Sequence, residues 1–210
     1  MSDSCRTAPC AGWLSEPYPL HHRALAFRSL HVPGRPLVLP NAWDRVSARL
    51  GEEAGAAAVA TTSAGLAWEL GTPDGDRLER DRALAAVAAV ASAVGVPVSA
   101  DIESGYAADA AGVADTVRAV LAAGAVGINI EDAPHAPGRG PLRPVAERAE
   151  RIAAARAAAD EAGVPLFVAR AWTPSCAAPG EWTPRWSGPR PSSPRAPTGS
   201  SSPRPSTRGR

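Results

Sequence analysis

The sequence predicts an α/β protein built as an incomplete (β/α)8 barrel of the TIM type, with about five parallel strands. Two observations predict this class: short apolar runs alternate with helix-length segments, and a glycine follows each helix-length segment. Strands that alternate with helices at this spacing form a parallel sheet wound in right-handed βα units. A complete barrel typically needs about 250 residues. The alternation stops near residue 170, so it accounts for little more than half of one.

The elements follow one another in a regular order. The predicted strands are residues 37–39, 57–60, 97–100, 126–130 and 165–168. The predicted helices between them are residues 43–53, 82–94, 109–123 and 146–162. The glycines that follow these helices are Gly55, Gly95, Gly124 and Gly163. We expect each of them to end its helix, because the position after a helix favours a left-handed backbone.

Three regions differ in composition. Residues 1–22 lack periodicity and are predicted to be a loose leader, residues 23–170 form the partial barrel domain, and residues 171–210 form a tail. With 45% hydrophobic and 20% charged residues, the composition is that of a globular protein. No apolar run approaches the length of a membrane span, and no secretory signal is recognisable. The three cysteines are too few and too scattered for a disulfide framework or a zinc site, so we expect a reducing, cytoplasmic location.

The net charge of +1 conceals an uneven distribution. Residues 1–170 carry 16 Arg and 20 acidic residues, a balance of −4, whereas residues 171–210 carry 6 Arg and only Glu181, a balance of +5. A mildly acidic domain does not call for a nucleic acid as its partner.

Acidic residues recur directly after the predicted strands. Asp101 and Glu103 follow the third strand, Glu131 and Asp132 follow the fourth, and Asp74 lies in the loop after the second. In a parallel barrel these loops share the face on which active sites form. Side chains alternate along a strand, so Asp101 and Glu103 are predicted to point to the same side. Converging carboxylates repel each other unless a cation is present, and oxygen ligands with room for water suit Mg²⁺. The alternative is that these acids are helix N-caps.

The stretch from about residue 27 to 170 resembles the isocitrate lyase/phosphoenolpyruvate mutase superfamily, in its phosphoenolpyruvate mutase-like branch. The segments that carry the resemblance are residues 39–44 (LPNAWD), 61–65 (TTSAG), 101–106 (DIESGY), 127–132 (GINIED) and 168–170 (VAR). Their order and spacing match the superfamily over roughly 145 residues.

The resemblance implies a role for each matching residue. Asp101 would bind Mg²⁺ directly, and water molecules would link the metal to Asp74, Glu103 and Glu131. Backbone N–H groups would bind the substrate carboxylate, from Thr62, Ser63, Ala64 and Gly65. Arg170, with Glu131 at the reacting centre, would stabilise negative charge on an enolate or phosphoryl oxygen. The implied activity is an Mg²⁺-dependent lyase or phosphomutase reaction, which cleaves or forms a C–C or C–P bond in a small 2-oxo acid through an enolate.

The loop after Asp132 separates the branches of the superfamily. Isocitrate and methylisocitrate lyases carry a Lys-Lys-Cys-Gly-His or Lys-Arg-Cys-Gly-His loop there, whose Cys is the acid/base. Residues 133–140 read APHAPGRG and contain no Cys, so isocitrate lyase chemistry is not expected. The mutase, phosphonopyruvate hydrolase and oxaloacetate-decarboxylase-like branches remain open, and His135 is either a loop acid or an exposed loop histidine.

The tail has 9 Pro, 8 Ser and 6 Arg in residues 171–210, and no periodicity, so it is predicted to be disordered. One hypothesis is that the reading frame slips after Arg170. When the third base of each codon is read with the next two bases, Trp172-Thr173 and Trp182-Thr183 each give Asp. With GC-rich third positions, residues 171–175 give Val-Asp-(Ala/Thr)-(Phe/Leu)-(Leu/Val), which resembles the superfamily after this Arg.

Three interpretations therefore stand together: an impaired enzyme of this superfamily, a catalytically dead fragment of one, and a protein that binds a partner through its basic tail. The superfamily also often forms homotetramers with exchanged C-terminal helices, which the tail would not supply.

Overall fold

The computed structural model describes residues 20–133 and 142–171. Its helices are α1 (Leu20–Ser29), α2 (Arg45–Glu53), α3 (Ser63–Glu69), α4 (Arg80–Ala93), α5 (Ala110–Ala122) and α6 (Val145–Glu161). Its strands are β1 (Asn41–Ala42), β2 (Val59–Thr61), β3 (Val98–Asp101), β4 (Gly127–Glu131) and β5 (Phe167–Ala171). Most of the predicted leader, His135 and all of the predicted tail except its first residue lie outside the described residues.

All five strands form one parallel sheet in the order β1-β2-β3-β4-β5. This sequential order is that of a (β/α)8 barrel, whereas a doubly wound sheet reverses its order at a switch point. The α/β prediction with five parallel strands is confirmed.

The first strand lies later than predicted. The apolar run 37–39 precedes the strand, and β1 is instead the pair Asn41–Ala42, which is in register with Ala60 and Thr61 of β2. Val38 is 78% exposed, so the run is not a buried strand. Hydrophobic composition could not locate β1, because its position is set by pairing with β2.

Two helices were not predicted. Helix α1 begins at Leu20, inside the predicted leader, and α3 follows β2 directly at Ser63. Both are short, and α1 has little amphipathic pattern from which to recognise it.

Glycine ends three of the four predicted helices. The left-handed glycines are Gly55 (φ 90°), Gly124 (φ 92°) and Gly163 (φ 67°). The prediction is wrong for Gly95, because α4 ends at the extended residue Val94 (φ −128°, ψ 150°). The Gly95 N–H donates to Glu52 Oε1 of α2 at 2.7 Å, so a side chain from another helix stabilises this end.

Helix α1 covers the amino-terminal end of the sheet. Phe27 is buried and packs edge-to-face on Phe167, with 5.7 Å between ring centroids. Gly127 begins β4 in register with Phe167, and a Cβ at Gly127 would collide with the Phe27 ring. The carboxyl ends of the strands, where the acidic residues lie, are at the opposite end of the sheet.

Within the described parts of the chain, no helix is both long and apolar enough to span a membrane.

Candidate active site

Asp101 lies at the carboxyl end of β3, and backbone groups from two loops hold its carboxylate. The Ser63 N–H at the start of α3 donates to Oδ2 at 3.0 Å, and the Glu103 N–H donates to Oδ1 at 3.2 Å. The Asp101 N–H donates to the Thr61 hydroxyl of β2 at 2.9 Å. These contacts fix the carboxylate at the junction of β2, β3 and α3.

Glu103 is buried, with only 1% of its surface exposed. Its carboxylate accepts hydrogen bonds from the Asp76 N–H and, at 3.2 Å, from the Tyr106 hydroxyl. The pKa of Glu103 is raised to about 7, chiefly by burial and also by the negative charges of Asp76 and Asp74, against the lowering effect of the hydrogen bonds. Burial likewise raises the pKa of Tyr106.

The strand alternation that was predicted to align Asp101 with Glu103 does not extend to Glu103. Strand β3 ends at Asp101, and Glu103 has a left-handed backbone with φ 50°. A turn, and not the pleat of a strand, therefore places Glu103 beside Asp101. The two residues still lie together, since one donates its N–H to the carboxylate of the other.

Asp76 is a site residue that the sequence analysis missed. Its backbone is left-handed (φ 54°), its N–H binds Glu103, and its carboxylate accepts from the Ser104 N–H at 3.3 Å and from the Ser104 hydroxyl. The predicted residue Asp74 is exposed in the same loop, close enough for its charge to affect Glu103. Local sequence offers no signal that favours Asp76 over Asp74, because both are acidic residues of one Asp-Gly-Asp segment.

Glu131 ends β4 on the same face of the sheet as Asp101. Asp101 is in register with Asn129, and Glu131 is two residues further along the strand. The Glu131 N–H also donates to the Glu103 carbonyl at 2.7 Å. The structure thus brings residues 101, 103 and 131 to neighbouring positions at one end of the sheet.

Arg170 lies in β5 in register with Ile130 of β4. Because side chains alternate along a strand, Arg170 is on the opposite face of the sheet from Glu131. Its side chain is 57% exposed, and its Nε lies 3.6 Å from Asp132 Oδ2. Asp132 is buried and also accepts from Arg148 of α6 at 2.8 Å. The ion pair of Arg170 is therefore with Asp132, which follows the acidic residues predicted to bind the metal.

The predicted carboxylate-binding turn is residues 62–65. Thr62 is the N-cap of α3, and the Ser63 N–H is directed to Asp101. A Cβ at Gly65 would lie 2.6 Å from Thr62 Cγ2 and 3.3 Å from Trp43 Cβ, so the turn is closely packed and requires a glycine at this position. The structure places this turn directly against the acidic site.

The donors at the site are carboxylate oxygens, which suit a hard cation such as Mg²⁺. Within residues 20–133 and 142–171, no three His, Cys, Asp or Glu side chains are grouped closely enough to bind a metal ion together. A site with three or more direct protein ligands therefore does not fit. Mg²⁺ usually retains several waters and takes one or two carboxylates, and its preferred ligands are oxygens. Asp101 as a direct ligand, with the other acids bound through water, is compatible with that chemistry.

A sequential parallel sheet with acidic residues at the carboxyl ends of its strands defines a barrel-type protein whose site lies on the face where such proteins bind their ligands. The family described as phosphoenolpyruvate phosphomutase matches residues 27–173. The chain belongs to this family, and the resemblance to the superfamily is confirmed.

One curated relative and two solved structures support the same assignment. The 2-methylisocitrate lyase of Escherichia coli K12 is 30% identical over 164 residues, which cover 77% of this chain and 55% of the relative. A Burkholderia cenocepacia J2315 protein, provisionally described as a phosphonomutase, is 43% identical with a TM-score of 0.68, and the match covers 71% of this chain and 59% of that one. A phosphonopyruvate hydrolase in complex with oxalate and Mg²⁺ is 31% identical with a TM-score of 0.61, over 65% of this chain and 48% of that one.

The chain spans about half the length of the curated relatives it matches. The family match over residues 27–173 includes the five strands and the acidic residues described above.

Proposed function

We propose that the site acts on a small 2-oxo acid in an Mg²⁺-dependent reaction that cleaves or forms a C–C or C–P bond through an enolate. The observation that carries the proposal is the Asp101 carboxylate, which backbone N–H groups hold at the carboxyl end of β3 beside Glu103 and Glu131. The phosphonopyruvate hydrolase whose fold this chain shares was solved with oxalate and Mg²⁺.

Each residue has a defined part in the proposal. Asp101 would bind the metal directly, and Glu103, Glu131 and Asp74 would bind its waters. When bound, Mg²⁺ would polarise the 2-oxo group and stabilise negative charge on its oxygen. Asp76 would hold Glu103 in place through the hydrogen bond from its N–H.

The turn at residues 62–65 would bind the substrate carboxylate. The Ser63 N–H already donates to Asp101, so Ala64 and Gly65 are the residues whose N–H groups we assign to the substrate. These groups belong to the first turn of α3, where no carbonyl four residues earlier lies within the helix.

Arg170 would stabilise negative charge that develops on the substrate. Its ion pair with Asp132 is long, at 3.6 Å, and its side chain is mostly exposed. Arg170 is in register with Ile130 and so lies on the face of the sheet opposite Glu131. We propose that its long side chain leaves Asp132 and reaches round the carboxyl end of the sheet to the substrate, while Asp132 keeps its shorter bond to Arg148.

Substrate assays with a matched pair of variants test this function. Wild-type protein is assayed with oxaloacetate, phosphonopyruvate and 2-methylisocitrate, with and without Mg²⁺. Asp101→Asn should abolish the Mg²⁺-dependent turnover. Asp109→Asn is the control, because Asp109 is an exposed N-cap of α5 and Asn also caps helices well. Where the wild type turns over a substrate, equal activity of the two variants would refute the role of Asp101.

A second candidate is a fragment without catalytic activity, which the shifted-frame pattern of residues 171–175 favours. These residues follow Arg170 directly, and all but the first lie outside the described part of the chain. Resequencing the gene, and assaying this chain against the product of a frame-restored gene, separates the two candidates. Turnover by the restored product alone would favour the fragment. Equal turnover by both would exclude it.

A further inference from the structure

The loop between β3 and α5, residues 102–109, has an unusual backbone. Glu103 (φ 50°), Gly105 (φ 100°) and Tyr106 (φ 48°) are all left-handed, and two of the three carry a Cβ. Such conformations are costly for residues other than glycine and persist only where the surroundings impose them. Contacts from outside the loop must therefore hold it in this shape.

Arg151 of α6 makes three of those contacts. It is 3% exposed, and its guanidinium donates to three carbonyls of the loop: Ser104 O at 3.0 Å, Ala107 O at 2.6 Å and Ala108 O at 3.2 Å. The planar fork of donors on an arginine allows one side chain to bind several acceptors at once.

Three other side chains also bind the loop, and one of them is Arg143, which donates to the Ser104 hydroxyl at 3.4 Å. Thr116 of α5 donates its hydroxyl to the Gly105 carbonyl at 2.9 Å. Asp76 accepts hydrogen bonds from the Ser104 N–H and hydroxyl. The start of the loop thus has a second anchor, whereas the carbonyls of Ala107 and Ala108 are bound by Arg151.

We infer that Arg151 is a positioning residue, which holds loop 102–109 in the conformation that brings the Tyr106 hydroxyl to the Glu103 carboxylate. The expected effect of Arg151 on Mg²⁺ binding rests on the proposed function. The expected effect of Arg151 on the shape of the loop is independent of that function. Arg151 acts through the loop, and its guanidinium is bound to backbone carbonyls of the loop and not to the acidic side chains.

The two tyrosines of the chain, Tyr18 and Tyr106, allow the loop to be observed directly. Protein labelled with 3-fluorotyrosine should give two ¹⁹F resonances, and Tyr106→Phe identifies the one from the loop. In Arg151→Ala we expect the Tyr106 resonance to shift and broaden, because the hydrogen bond to Glu103 is no longer held. This measurement needs neither metal nor substrate.

Arg156→Ala is the matched control. Arg156 lies on the same helix and also donates to a backbone carbonyl, at Leu166, but not to the loop. The change removes a comparable bond from α6, so the Tyr106 resonance should keep its wild-type position. If both variants, or neither, perturbed that resonance, the inference would be overturned.

Arg151→Lys covers the case in which the alanine variant fails to fold. A lysine keeps the charge but has no planar fork, so we expect a folded protein with a perturbed Tyr106 resonance. A wild-type resonance in Arg151→Lys would overturn the inference. Addition of ethylguanidinium to Arg151→Ala or to a smaller Arg151→Gly variant should restore the resonance, which a general loss of packing would not allow.

Mg²⁺ titration by calorimetry measures the consequence for the site. Loss of a residue that orients metal-binding groups commonly weakens metal affinity by about 10- to 100-fold, and we expect this range for Arg151→Ala but not for Arg156→Ala. Unchanged Mg²⁺ affinity in Arg151→Ala would overturn the link to the metal. If the wild-type protein bound no Mg²⁺, the proposed function would fail, and the fluorine experiment would still decide whether Arg151 positions the loop.

Discussion

Replacement of the buried Glu103 by glutamine should stabilise the metal-free protein at high pH but not at low pH. The pKa of Glu103 is raised from 4.5 to about 7 in the folded protein. Between these two values the folded state keeps a proton that the unfolded chain has lost, so the free energy of unfolding falls as the pH rises. Above pH 7 the whole cost of burying the charge is present.

The size of the effect follows from that pKa difference. At 1.36 kcal/mol per pH unit, a rise from 4.5 to about 7 corresponds to about 3 kcal/mol. In wild type the Asp76 N–H and the Tyr106 OH donate to different oxygens of Glu103, and glutamine has only one oxygen. One donor would therefore lose its acceptor, which costs about 1–2 kcal/mol. We therefore expect a net stabilisation of about 1–2 kcal/mol at pH 8 and a destabilisation of similar size near pH 4.5.

Urea unfolding of chelator-treated protein at several pH values measures this. The control is Glu150→Gln on α6, which makes the same chemical change at an exposed side chain. If the difference in stability between Glu103→Gln and the wild type were the same from pH 4.5 to pH 8, the reasoning would be refuted, because ionisation of Glu103 would then not affect the stability.

Two further predictions concern packing and ion pairs. Gly127→Ala should lower the free energy of unfolding by about 1–3 kcal/mol in urea titrations, because the new Cβ collides with the Phe27 ring, and no loss would show that α1 can shift without cost. Arg148→Met should lower the free energy of unfolding by about 3 kcal/mol, because it removes the closer of the two ion-pair partners of the buried Asp132. Arg170→Ala should lower it by at most about 1 kcal/mol, since Arg170 is largely exposed. The opposite ranking in thermal unfolding would contradict this reading of the two ion pairs.

Much of the fold could be predicted from local patterns. The alternation of apolar runs and helical segments identified β2 to β5 to within a few residues, and it also identified four of the six helices in the described residues. It failed for β1, whose two residues are defined by pairing with β2, and for the short helices α1 and α3. Gly95 shows the same limit, because a side chain from α2 and not the glycine's own conformation stabilises the end of α4.

The acidic residues illustrate what local sequence can show of a site. Asp101 and Glu131 could be recognised because each is the last residue of its strand. Parallel strands place their carboxyl ends at the same edge of the sheet. Asp76 was missed because nothing local distinguishes it from Asp74. Only the fold shows that Asp76, and not the exposed Asp74, donates to the buried Glu103.

By itself, the sequence determined the parallel βα order, the end of the sheet at which the acids gather and the family, since all three depend on the order and spacing of residues along the chain. Only the tertiary structure decided that Glu103 is buried with a raised pKa, that Arg170 pairs with Asp132, and that Arg151 holds the loop after β3. Burial and ion pairing depend on residues that are distant in sequence, and their contacts exist only once the helices have packed on the sheet.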